Sequence, residues 1–131
     1  MTYETVIRDL FMRMPDLRPL YRERFDYLEG EVLPYVVFGS FLIPVLETAL
    51  EENDTERIRT ICAFLEEAAA NAVTDAGLEQ LLLVEIGEWL GGTLLEAKIE
   101  PSLGEQTKRV CRYVSGFATQ RNSLKRAGRK P

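Results

Sequence analysis

The sequence predicts an all-α domain of five to six antiparallel helices, arranged as a bundle or a short helical-hairpin array. Three observations predict it. Apolar residues recur at helical spacing along most of the chain and nowhere alternate for long. Proline, glycine and capping residues cut this pattern into segments of ordinary helix length. The connections are short, so consecutive helices should fold back as neighbours. The 131 residues are 46% hydrophobic and 28% charged, as expected of one folded domain. We assign residues 1–121 to a single helical domain and 122–131 to a mobile basic tail. No motif repeats at a fixed period, so a regular solenoid is not predicted.

The first helix runs from about Thr2 to Arg13, with Tyr3, Val6, Ile7, Leu10, Phe11 and Met14 on one stripe. Pro15 stops it, because the residue before a proline is pushed out of the α region. Asp16 is the expected cap of a second helix, which carries Leu17, Leu20, Tyr21, Phe25 and Leu28 and ends at Gly30. The third, from about Val32 to Glu51, is apolar around nearly its whole circumference and should be buried on several sides. Pro44 removes a backbone donor in its middle, so a kink or break is expected between Phe41 and Pro44.

Asn53 and Glu56 have capping-box spacing and should open the fourth helix, whose apolar face is Ile58, Ile61, Cys62, Leu65, Ala68, Ala69 and Ala72. Thr74 or Asp75 caps the fifth, with Leu78, Leu81, Leu82, Ile86 and Trp89, ending at Gly91-Gly92. Thr93 to Ile99 reads as a short helical or irregular segment. Pro101, Ser102 and Glu105 then make a capping-box start for a sixth helix, striped by Leu103, Val110, Val114, Phe117 and Ala118. The expected core includes Val36, Phe41, Ile61, Leu65, Leu82, Ile86 and Val114.

Composition removes several chemistries. There is no histidine, hence no His–Ser or His–Cys catalysis and none of the commonest metal ligand. Two cysteines build neither a Cys-rich zinc site nor a disulfide framework. Gly91-Gly92 lacks the lysine and the strand of a phosphate loop and reads as a helix stop. Gly39-Ser40 reads as close backbone packing. Neither catalytic residues nor a cofactor or metal are predicted. Glu4, Arg8 and Asp9 break any signal-peptide core. The longest apolar stretch, from Val32 to Leu46, is interrupted by two prolines and falls short of the roughly 20 residues of a bilayer span. The expected location is the cytoplasm, with Cys62 and Cys111 reduced.

Charge is divided along the chain. Residues 1–28 are balanced, 29–105 hold sixteen acids against Arg57, Arg59 and Lys98, and 106–131 hold eight bases and no acid. The acidic middle repels nucleic acid and attracts basic partners. Glu47, Glu51, Glu52, Asp54 and Glu56 surround the junction of the third and fourth helices, and Glu66 and Glu67 extend that surface. Such a run is either a solvated surface or one retained for a partner. Acids near a helix C-terminus, as Glu51 and Glu52 are, oppose its dipole.

Glu85 is the most informative residue. On a helical wheel it falls between Leu78 and Leu81, inside the apolar arc, with Glu88 at the arc's edge. A buried carboxylate needs a partner. Arg57, Arg59 or Arg112 is the expected one, unless Glu85 awaits a cation from another molecule. Tyr21, Tyr27, Tyr35 and Trp89 are binding anchors only if exposed.

Some of these residues also carry a resemblance. Met14-Pro15-Asp16-Leu17, Leu20-Tyr21, the run from Glu31 to Gly39, Asn53-Asp54, Phe64-Leu65-Glu66, and Leu82 to Leu90 with its central Glu85 are similar to a widespread group of small bacterial all-α proteins. Members of that group resemble immunity proteins encoded beside secreted toxins. Tyr35 and Ser40 depart from the group's pattern, which has histidine and aspartate there. The resemblance implies a binding role, with no catalytic residues to carry over. Joined to the charge pattern, it gives the leading expectation: a non-catalytic protein that neutralises a basic toxin domain by occlusion, with Glu47, Glu51, Glu52, Asp54, Glu56, Glu66, Glu67, Glu85 and Glu88 as the acidic surface. The alternatives are a transcription or signalling adaptor that uses the basic tail, and an enzyme of unrecognised type.

Overall fold

The computed structural model describes residues 1–25, 33–90 and 94–112. Among these residues there is no strand, and seven helices follow one another. The extra helix over the expected count is the short segment before Pro101. Gly30, Gly91-Gly92, Val114, Phe117 and the tail 122–131 lie outside the described residues.

Helix α1 spans Val6–Arg13. It starts later than Thr2 because Thr2 and Thr5 close a turn on themselves: the Thr2 N–H donates to Thr5 Oγ1 at 2.9 Å. The Met14 N–H closes the last turn on the Leu10 carbonyl just before Pro15. Helix α2 spans Leu17–Phe25. Asp16 was expected to cap it, but its carboxylate pairs with the Arg57 guanidinium of α4.

Helix α3, Pro34–Glu51, is continuous. The disturbance expected near Pro44 does not break the helix and takes the form of a widened stretch, Val37–Leu42, in π geometry, with the Ile43 N–H bonding the Phe38 carbonyl five residues back. In α geometry the Pro44 ring would crowd the carbonyl four residues earlier. The extra residue per turn accommodates the proline without ending the helix. By length and composition alone α3 would reach across a bilayer. Its Val37, Phe38, Phe41, Leu42, Ile43 and Leu46 are instead at most 3% exposed, so it is a core helix of this fold.

Helix α4, Thr55–Ala72, is capped by Asp54, which accepts the Arg57 N–H at 3.1 Å. The cap is thus one residue beyond Asn53, whose φ of 54° reverses the chain between α3 and α4. α4 packs against α1, α3 and the next helix. Its inner face is Ile61, Cys62, Phe64, Leu65, Ala68, Ala69 and Ala72.

Helix α5 covers residues 76–90. It begins as Ala76–Leu82, widens to π geometry over Leu83–Gly87 and finishes as Glu88–Leu90. Asp75 caps it as expected, accepting from the Leu78 N–H at 3.0 Å and from the Tyr3 N–H at 3.2 Å, which also ties down the start of the chain. α6 is Leu94–Ile99, followed by a 3-10 turn at Glu100–Ser102. α7 opens at residue 105 and is described to 112.

Of the expected core, Phe41, Ile61, Leu65, Leu82 and Ile86 are buried. Val36 is only half-buried, and Val37 and Phe38 take the interior positions where the π stretch begins. Phe11, Tyr21, Phe25 and Phe41 pack ring on ring, with Tyr21 edge-on to Phe41 at 5.3 Å.

Candidate functional site

The acids expected to face a partner divide into three groups. Glu47, Glu51, Glu52, Asp54 and Glu56 are all exposed around the α3–α4 turn. Asp54 is occupied as the α4 cap. Glu56 pairs with Arg59 one turn on, at 2.6 Å. Glu47, Glu51 and Glu52 form no salt bridge among the described residues. Glu47, Glu51, Leu50 and Asn53 line an open pocket with Lys98 of α6.

Glu66 and Glu67 have internal employment. Glu66 accepts from the N–H groups of Gln106 and Thr107, at 3.0 and 2.9 Å, and from the Thr107 hydroxyl at 3.1 Å. It is therefore the N-terminal cap of α7, in place of the expected Ser102. Burial pushes the Glu66 carboxyl upward, but these hydrogen bonds and nearby Arg109 together hold it below its ordinary value. Gly104 leaves the space, since a Cβ there would lie 2.3 Å from Glu66 Cδ. Glu67 pairs with Arg13 of α1 in an exposed contact of little energetic weight.

Glu85 and Glu88 form the third group. Glu85 is half-buried at the contact of α3 and α5, while Glu88 is exposed. None of the three expected arginines pairs with it: Arg57 is held by Asp16, Arg59 by Glu56, and Arg112 makes no salt bridge to it, so Glu85 has neither an ion pair nor a hydrogen bond among the described residues. Desolvation and the neighbouring Glu88 charge both raise its pKa above the usual carboxylate value. Tyr35, across on α3, is raised by desolvation, by Tyr3 and by the Glu85 charge. The carboxyl lies over Gly39, where a Cβ would come within 2.3 Å of Oε2. Gly39 does serve close packing, but of a side chain on backbone. Both residues fall on the inner arcs of their helices, which was the available signal; their meeting was not visible.

Besides the Glu56–Arg59 and Glu67–Arg13 contacts, the structure holds, among the described residues, two further ion pairs that the sequence does not announce: Asp16–Arg57, and Glu79–Arg109 at 2.6 Å, in which Arg109 also donates to the Ala69 carbonyl. Of the proposed anchors, Tyr21 is buried among aromatic rings, Tyr35 and Trp89 are half-buried, and Tyr27 lies outside the described residues. Cys62 and Cys111 are buried, and burial pushes the Cys62 thiol up to about 11. A thiol so protonated is a poor nucleophile at neutral pH.

What emerges is a small helical domain with three exposed acids at one helical corner that form no salt bridge among the described residues, and a half-buried carboxylate between two widened helices. The chain belongs to the family described as Domain of unknown function (DUF7674), whose model matches residues 7–117. No curated protein and no solved structure matches it.

Proposed function

We propose that this protein acts by binding: it neutralises a basic partner protein, such as a toxin domain, by occluding its active surface, without catalysis. The observation that carries this reading is the state of the α3–α4 corner. Glu47, Glu51 and Glu52 stand exposed without a salt bridge among the described residues, while Arg57 and Arg59 beside them are committed to Asp16 and Glu56. Glu51 and Glu52 also close α3 at the end where its dipole disfavours acids. With only Lys98 among the described cations lining a pocket beside Glu47 and Glu51, this excess of charge supports a role in steering a cationic partner. Half-buried Trp89 and Tyr35 would add apolar contact area. On this reading the helices are antiparallel neighbours, the acidic surface is the α3–α4 corner, and the protein works in the cytoplasm.

The test is capture with the tagged full chain in its native host, eluted by a salt gradient and identified by mass spectrometry. A stoichiometric basic protein released by salt supports the reading. Specific recovery of nucleic acid supports the adaptor reading instead, through the basic tail, 122–131, with Lys125, Arg126, Arg129 and Lys130. Release of a protein only by denaturant, with no salt dependence, overturns the acidic mechanism.

A further inference from the structure

Helices α3 and α5 each leave α geometry over a single stretch, Val37–Leu42 and Leu83–Gly87, and these two stretches pack against each other. π segments are uncommon and persist where packing compensates for their weaker geometry. At this contact the Glu85 carboxyl lies on the α3 backbone at Gly39, with Oε2 and Cδ at 2.3 and 3.2 Å from where a Cβ would be. The titratable groups facing Glu85 are Glu88 on its own helix and Tyr35 on α3, with Tyr3 behind Tyr35 at a ring separation of 6.4 Å. No cation faces it among the described residues, and no charge from α4, which also packs against α5, acts on it.

We propose that this contact is an acid-responsive joint: ionised Glu85 loosens the packing of the two π segments, and its protonation tightens them. The ionised group is partly desolvated and faces a like charge, with no hydrogen-bond donor to it among the described residues. Protonation removes the charge and creates an O–H, which can donate to a carbonyl oxygen of the backbone beneath it. The direction of the pKa shift agrees, since burial and Glu88 both favour the neutral form. A carboxyl whose folded pKa is raised binds its proton more tightly in the folded chain. Stability from this group therefore falls as pH rises from the unfolded value through the folded one. The joint does not depend on the binding reading, although α3 leads directly from it to the acidic corner.

The experiment compares the full chain with Glu85→Gln and Glu88→Gln from pH 5 to pH 8, by thermal unfolding and by hydrogen exchange of amides 37–43 and 83–88, corrected for the intrinsic pH dependence of exchange. Glu85→Gln, neutral at every pH, should melt several degrees above the parent at pH 8, with the gap closing toward pH 5. Its π-segment amides should be equally protected at both pH values, whereas the parent's should gain protection only in acid. Glu88→Gln should move the parent's transition to lower pH. Glu85→Gln equal to or below the parent at pH 8, or a gap that does not change with pH, overturns the proposal. Should Glu85→Gln fail to fold, the Glu88→Gln transition decides: an unmoved midpoint refutes the joint.

Discussion

Glu66 on α4 accepts both the backbone N–H and the hydroxyl of Thr107, at 2.9 and 3.1 Å, across 41 residues of sequence. The bond does for α7 what a local serine would ordinarily do, and it fastens α7 to α4 at the same time. Glu66→Ala should destabilise the fold by about 1–2 kcal/mol, the usual cost of losing a helix cap. The sign with pH is fixed by the direction of the shift. A carboxyl held below its unfolded value contributes stability above that value and loses it as pH falls through the folded one. Urea unfolding of parent and variant at pH 7 and in acid should therefore converge as the pH is lowered.

Gly104 reports on the same cap. A methyl group there would meet Glu66 Cδ at 2.3 Å and Oε1 at 2.4 Å, so Gly104→Ala must displace the carboxylate. We expect it to destabilise the parent and to cost distinctly less when Glu66 is already alanine. A double-mutant cycle by urea unfolding measures this coupling. Strictly additive effects would show that the two residues do not share one interaction.

The contrast between Asp75 and Glu66 marks how far the sequence could be read. Asp75 caps α5 from three residues away, and its place before an apolar run announces it. Glu66 caps α7 from 40 residues away, and local spacing pointed instead to Ser102. The same limit applies to charge. Helical phase correctly put Glu85 on an inner face, but of its three expected arginine partners Arg57 and Arg59 are taken by Asp16 and Glu56, one distant and one local, and Arg112 forms no ion pair with it. Pro44 was legible as a disturbance of α3. Whether a proline breaks, kinks or widens a helix depends on its surroundings, and the widened stretch of α3 packs against the π stretch of α5.

Leu65 tests the buried face of α4. It is 1% exposed within the main core. Leu65→Ala should cost roughly 2–5 kcal/mol, the range for a buried leucine whose cavity only partly collapses. A loss of less than about half a kcal/mol by urea unfolding would contradict the close packing of that face.

The last prediction separates binding from folding. If the α3–α4 corner attracts a basic partner, association should be steered by charge. The screening length falls from about 10 Å at 0.1 M salt to about 3 Å at 1 M. The association rate should then fall steeply with salt while dissociation changes less. Reversing Glu51 and Glu52 to lysine should lower the association rate with little effect on unfolding, because both are exposed and neither forms a salt bridge among the described residues. Glu56→Lys is a graded comparison, since its carboxylate is already shared with Arg59. Leu65→Ala is the opposite control: it should lower stability and leave the rate per folded molecule unchanged. Surface-capture kinetics against the partner recovered from the host measures all four variants. A rate indifferent to salt and to charge reversal would remove the corner from the interface and turn attention to the half-buried Trp89 and Tyr35.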